Sequence, residues 1–525
     1  VTATSPRTAR QRSRIMRAAS PGAARAGRAL PLIAAALVLV LMLLVIVRLP
    51  WAGDLGMHAA TVQRLRHSPL HPGNPLVDAD TPSPYYSPWM LLLGCLARLT
   101  GLSVFDVLRV GAVVGLGLLA TGVWRYVRTL SGHRAAPALA FLSLVFLWGP
   151  LLFDWSGFLG LNSLALTVSY PSVLALGLSF HFWAWLSRAL RTGAGWGGWL
   201  GLGALWALIL LCHQFTGVVA SLGALATVIA ARPDRYRAVR LGAAAACGLV
   251  LLWVWPYYDF FALFSAGAGL EAIHRPLYGH LAARFGLVLL GVAALGARWR
   301  RDRRDPLVLF FLLGTLVFAA GGLSGHYSWG RALPAALIPA QLAAALEAVS
   351  AGRRAVRAGW ACALGAALLV GAWTQVGTLG YVTGRDALPG VVAAKYRAPW
   401  AGYHWITPWV GYGDVVMART MASRQIPAYG AYTVAPGYPD VFLPSAGVRG
   451  EAVRRYFSAG AGAESGTGTG TGTGAGAGVG IGASERRGVL REYGVRWVVG
   501  GRGDAAPWLR RVAGGPGGQV LYAVR

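Results

Sequence analysis

The feature that most constrains this chain is a ladder of apolar blocks separated by short arginine-rich breaks. A bilayer crossing needs about 20 predominantly apolar residues. Candidate spans run over 30–49, 103–124, 136–153, 171–187, 196–211, 214–231, 239–257, 281–297, 306–322, 332–349 and 359–380. Of 525 residues, 55% are hydrophobic and only 13% charged. Soluble surfaces need about a quarter charged residues, so an ordinary soluble enzyme is excluded. The apolar excess belongs in lipid, and the expected fold is an α-helical polytopic membrane protein with about eleven transmembrane helices.

The charge pattern sets the expected topology. Forty-eight Lys and Arg face 19 acids, a net of +29, but the arginines sit in clusters between apolar blocks. Cytoplasmic loops carry such excess by the positive-inside rule. With the N-terminus inside, those loops hold Arg125, Arg128 and Arg134; Arg188 and Arg191; Arg232, Arg235, Arg237 and Arg240; Arg298, Arg300, Arg301, Arg303 and Arg304; and Arg353, Arg354 and Arg357. The opposite loops are nearly free of cations: 154–170 has none and 258–280 only Arg275. The expectation is a multi-pass cytoplasmic-membrane protein with its N-terminus cytoplasmic and its C-terminus extracytoplasmic. Residues 1–29 form a basic tail, and the run from Leu30 to Leu49, with no small-residue cleavage site after it, reads as an uncleaved span.

Several classes drop out. Clustered topological charge gives no reason to expect a nucleic-acid partner. Lys395 is the single lysine, which removes a Walker-A phosphate loop. The four cysteines lie in apolar stretches without a C-x-x-C pair, so zinc or redox chemistry is not signalled.

Chemistry-bearing residues gather in the long loop 50–87, expected on the outer face. Leu55 to Leu65 has helical apolar spacing and predicts an amphipathic helix on the membrane surface. Asp54 stands at its N-cap position, either as a plain cap or as a catalytic carboxylate. His58 follows one turn later on the same face, as a ligand, a base or a solvated loop residue. Asp78 and Asp80 form a D-x-D pair able to hold a divalent cation (Mg or Mn) against phosphate oxygens, or to contact an acceptor; chance also produces the pattern. Tyr85 and Tyr86, in a Pro-Ser-Pro-Tyr-Tyr-Ser-Pro run, serve as an interface anchor or as a wall of a substrate groove. Residues 88–100 are apolar but too short to cross, and predict a helix at the outer interface.

Arg331 heads a late apolar helix, where it either snorkels or holds a lipid phosphate bidentately. Arg275, in the preceding outer loop, could assist. Beyond residue 384 the pattern changes: β-like runs at Asp414–Ala418, Val495–Val499 and Val520–Val524, and a helix-like Glu485–Tyr493, predict a small α/β domain over 385–525. The alternating glycines of 465–482 read as a flexible linker. The expected division is thus a tail (1–29), a membrane module (30–384) and an extracytoplasmic domain (385–525).

This layout resembles the GT-C superfamily of integral membrane glycosyltransferases. The resemblance rests on Gly53-Asp54 opening the first outer loop, the Tyr/Pro run closing it, and Gly330-Arg331-Ala332-Leu333 heading a late helix. It also rests on Gly413-Asp414-Val415-Val416, Ile426-Pro427-Ala428-Tyr429-Gly430 and Tyr493-Gly494-Val495-Arg496-Trp497-Val498-Val499 near the C-terminus. It implies a sugar donor carried on a polyprenyl phosphate and a cell-envelope glycan, lipid or protein as acceptor. It also implies that Asp54 is the catalytic base or a metal ligand. No second acid directly follows Asp54, unlike in some members.

The expected activity is transfer of a hexose or pentose from a polyprenyl-phosphate donor at the outer face, with inversion. Asp54 would take the acceptor proton, and Arg331 with Arg275 would stabilise the leaving phosphate. A non-enzymatic carrier or flippase of lipid-linked sugars is the alternative, and a partner-binding scaffold is a third reading. Carriers place ionisable residues midway through spans, and these spans are almost free of them.

Overall fold

The computed structural model describes residues 21–265, 269–458 and 482–525. Most of the basic tail and nearly all of the glycine-rich tract lie outside the described residues. Among those described, nine helices are long and apolar enough to cross a membrane: Ala29–Arg48, Val104–Leu130, Pro171–Thr192, Gln214–Ala231, Arg235–Trp253, Leu281–Arg301, Pro306–Ser324, Tyr327–Ser350 and Arg354–Thr374. Tyr327–Ser350 runs through the centre with nearly all of its residues buried, while Arg235–Trp253 and Arg354–Thr374 lie at the periphery.

The two remaining expected spans are shorter helices, Ala136–Phe146 and Trp196–Cys212. The first stops well before residue 153 because Gly149-Pro150 follows: proline cannot donate and clashes with the carbonyl one turn back. The chain then continues as irregular backbone to Leu161. Such backbone survives inside a helical bundle only where other groups satisfy it. Gln375 Nε2 donates to the Val145 carbonyl and Gln341 Nε2 to the Leu147 carbonyl, both at 2.9 Å. Leu287 N–H reaches the Trp148 carbonyl at 2.7 Å. Both glutamines are buried, so two apolar spans carry the polar groups that close this break.

One end of the bundle holds the arginine clusters. There Arg298 pairs with Asp305 at 2.6 Å, and Glu347 takes both Arg298 and Arg301. The other end carries the C-terminal sheet. Its order is β2-β1-β3-β5-β4, from Val415–Ala418 (β1), Tyr432–Thr433 (β2), Val495–Gly500 (β3), Leu509–Gly514 (β4) and Val520–Val524 (β5). β1 pairs in parallel with β2 and β3, whereas β5 is antiparallel to β3 and β4. Three strands and the helix Ala483–Glu492 fall where the sequence predicts them; β2 and β4 are additional.

The helix Leu55–His67 departs from expectation. It does not lie on a lipid surface: ten of its residues, from Leu55 to Leu65, are buried. It is clamped between Pro88–Thr100 and the C-terminal layer. Gly56 permits the approach, since a Cβ there would run into the Arg424 carbonyl oxygen. Arg64 then locks the contact, donating to the carbonyls of Gly430 at 3.0 Å and Ala431 at 2.7 Å, with Tyr432 stacked 3.6 Å from its guanidinium. Downstream, the Thr433 N–H donates to the Leu76 carbonyl at 2.9 Å, so the first long loop runs along the sheet edge. Pro88–Thr100 is a 13-residue helix capped by Ser87, burying Met90, Leu93, Gly94 and Ala97 and leaving Leu92 and Leu99 exposed.

Candidate active site

At the sheet-bearing end the chain encloses a cavity of about 530 Å³, within the range typical of small-molecule sites. Its walls include the start of the Leu55–His67 helix, residues 84–85, the loop 154–156, residues 166–172, the junction 212–215 with His274 and Arg331, and the C-terminal residues 397–400, 424 and 438–439.

Asp54 sits where the first span gives way to that helix. It holds the N-cap position but makes no side-chain capping bond. The helix start is held instead by two tyrosine hydroxyls. Tyr170 donates to the Ala52 carbonyl and Tyr438 to the Gly53 carbonyl, the latter at 2.7 Å. The carboxylate is therefore free to face the cavity. Burial pushes its pKa above the usual carboxylate range, and the charges of Arg331 and Arg424, with the Tyr438 hydroxyl beside it, pull partly back.

Arg331 lines the same cavity from the head of the central helix. It is 6% exposed, with Nη2 donating to Ser156 Oγ at 2.9 Å and its guanidinium 4.9 Å from the Phe215 ring centre and 5.6 Å from that of Trp155. Its Nε has no partner. Aromatic faces suit a guanidinium, but the donor capacity is left largely unspent. Buried donors of this kind call for an acceptor, and an anion entering the cavity would supply one.

His58 and Tyr85 line the same cavity. The His58 ring packs edge-on against Tyr170 at 4.7 Å, and burial holds its pKa at about 3, so it is neutral. Burial also raises the Tyr85 phenol. Tyr86 behaves differently: it is buried outside the cavity, donating to the Gly73 carbonyl at 2.8 Å. Of the tandem tyrosines, one is a wall and the other an anchor.

Three expected residues lie elsewhere. Arg275 is exposed and stacks on Tyr327 at 5.7 Å, while its neighbour His274 faces the cavity. Asp78 and Asp80 are exposed and do not line it. Asn74 explains their placement: its Oδ1 accepts from the backbone of Leu76 and Val77, and its Nδ2 donates to buried Asp440 at 2.8 Å. That turn ties the loop to the C-terminal layer and sends the D-x-D pair to the surface.

The divalent cation was expected at that pair. Among the described residues, no group of three His, Cys, Asp or Glu could hold a metal ion. Asp154, the second acid lining the cavity, pairs with Arg397 at 3.3 Å. Asp54 shares its surroundings with two guanidinium groups, which is unfavourable for a divalent cation. Among the described residues the cavity offers no ready-made ligand set for a metal ion.

Arg424, Tyr438, His213 and His274 were not singled out as site residues from the sequence. Arg424 donates from Nε to the Gly437 carbonyl at 3.0 Å and stacks on Tyr438 at 5.0 Å. No local pattern marks either residue, because each reaches the cavity only through the docking of the C-terminal layer.

No family model and no curated protein sequence matches the chain. Solved structures do. The arabinofuranosyltransferase AftD from Mycobacteria aligns over 95% of this chain and 40% of its own, with a TM-score of 0.53 and 17% identity. A second AftD structure gives 0.55 and 18% over 94% of this chain and 41% of its own. ArnT from Cupriavidus metallidurans, crystallised with undecaprenyl phosphate, aligns over 78% of this chain and 85% of its own, with a TM-score of 0.45 and 15% identity. This chain thus spans about 40% of the length of AftD. At such identities the likeness to AftD is one of fold: a polytopic helical bundle with a small α/β layer at one end.

Proposed function

We propose that this cavity transfers a sugar from a polyprenyl-phosphate donor to a hydroxyl of a cell-envelope glycan, lipid or protein. The supporting observation is that an uncapped carboxylate and a buried guanidinium, in no ion pair among the described residues, line one cavity at one end of an apolar bundle. The fold shared with an arabinofuranosyltransferase supports a pentose or hexose donor. By the positive-inside rule the arginine-rich end is cytoplasmic and the cavity opens on the extracytoplasmic side of the cytoplasmic membrane. Residues 30–384 form the membrane module and 385–525 the outer domain.

The chemistry follows from charge. Asp54 accepts the proton of the acceptor hydroxyl as its oxygen attacks the anomeric carbon. The bond from that carbon to the phosphate oxygen breaks, and the electron pair leaves with polyprenyl phosphate. Arg331 stabilises the negative charge that develops there. A single base opposite a single leaving group gives inversion. Arg424, on the outer domain, adds a second cation to the same cavity, and exposed Arg275 has no part in this scheme.

The test is transfer in membranes containing the full chain, with polyprenyl-phosphate pentoses and hexoses as donors. The wild-type chain should transfer at least one sugar with inverted configuration, and D54N should lose about 10²–10⁴ in rate. Near-normal transfer by D54N would refute the assignment.

A further inference from the structure

His213 interrupts two apolar helices, Trp196–Cys212 and Gln214–Ala231, in an extended conformation that makes it the N-cap of the second. The Thr216 backbone N–H donates to its Nδ1 at 3.2 Å, and the Thr216 hydroxyl lies 2.8 Å from the same nitrogen. A backbone N–H can only donate, so Nδ1 is an acceptor and the proton of the neutral ring sits on Nε2. That Nε2–H has no partner among the described residues, and His213 lines the cavity.

Its position relative to Arg331 is fixed by the backbone between them. A Cβ built on Gly157 would lie 3.8 Å from both Arg331 Nη2 and His213 Cε1, so the two side chains flank one point of the wall. We propose that His213, through Nε2–H, is a second donor to the phosphate that Arg331 holds. This rests on the reading of the cavity as a lipid-phosphate site and adds a residue to it. The phosphate gains negative charge as its bond to the sugar breaks, and a donor fixed before reaction stabilises that charge without reorganising. Burial and the neighbouring Arg331 charge push His213 well below its ordinary pKa, so it donates as a neutral group. His274 has the opposite arrangement. Its Nδ1 is spent on the Leu270 carbonyl at 2.7 Å, which leaves Nε2 as an acceptor unsuited to a phosphate.

Two substitutions separate this role from capping. His213→Asn keeps a strong N-cap but places nothing at Nε2, whereas His213→Gln reaches the Nε2 position and caps less well. Binding of radiolabelled farnesyl phosphate, with farnesol as the neutral control, is measured on the full-length protein in detergent, alongside thermal unfolding. H213N should fold normally and bind farnesyl phosphate about tenfold more weakly, the scale of one hydrogen bond to a charged group. H213Q should recover most of that loss despite a lower melting temperature, and farnesol binding should not change. Equal binding by wild type and H213N, or a loss that tracks melting temperature instead, would overturn the role of His213 alone. A wild-type chain that does not prefer farnesyl phosphate to farnesol would overturn the phosphate site itself.

Discussion

Asp54 and Arg331 line one cavity, each within the electrostatic field of the other, yet they form no ion pair. Among the described residues neither takes part in any ion pair at all. Opposite charges kept apart in a buried site leave room for a substrate between them. The cost is a carboxylate and a guanidinium whose hydrogen-bonding capacity stays partly unused.

That cost predicts that D54N gains stability while losing activity. Asp54 makes no capping bond, so Asn sacrifices no contact of the helix start. Burial raises the folded-state pKa of Asp54 above its unfolded value, so the folded chain holds the extra proton and loses stability as pH rises through that window. Thermal unfolding in detergent should therefore show D54N melting above wild type at neutral pH. The difference should vanish in acid, below the ordinary carboxylate range.

As the proposed base, Asp54 must be ionised to act, so its raised pKa places the acid limb of the pH–rate profile above the usual carboxylate range. The Tyr438 hydroxyl lies against both the Gly53 carbonyl and the carboxylate, and turning its one proton to the carboxylate stabilises the ionised form. Y438F should move that limb to still higher pH, read as kcat/KM for the donor against pH. An unmoved limb would remove Tyr438 from the electrostatics of Asp54.

Arg331→Lys keeps the charge but loses the planar group stacked between Trp155 and Phe215 and the fork that reaches Ser156. The expected loss in kcat is about 10–10²-fold, with R331Q losing more. If R331K raised only the donor KM and left kcat unchanged, Arg331 would bind the ground state without acting on the leaving group.

Arg64 makes a purely structural prediction. R64A leaves the buried Ala431 carbonyl without its donor, at about 1–3 kcal/mol, and the Gly430 carbonyl with only the Gly413 N–H. The melting temperature should fall by several degrees. Transfer should fall with it, because the helix that Arg64 anchors also begins at Asp54.

What the sequence reveals follows from how each feature is specified. Spans are visible because lipid demands contiguous apolar residues, and the shortened helix ending at Phe146 is still marked by Gly149-Pro150. Asp54 stands out as an acid at the exit of an apolar run. Arg331 stands out as a cation at the head of another. The burial of Leu55–His67 is not legible, since the partners of Arg64 lie 366 and 367 positions away. A helix that docks under a distant domain has the same local pattern as one resting on lipid. Asp78 and Asp80 mislead for a related reason: their direction is set by Asn74 gripping Asp440, a contact with no local signature. Arg424 and Tyr438 enter the cavity from the same distant layer.

The central claim is spatial, and a cryo-EM map of the full chain in lipid nanodiscs with a polyprenyl-phosphate sugar analogue tests it most directly. The account predicts phosphate density within hydrogen-bonding distance of Arg331, a lipid tail running outward between helices, and the sugar between that phosphate and Asp54. Density for the phosphate at the arginine-rich end, or in a groove separated from Asp54, would contradict it.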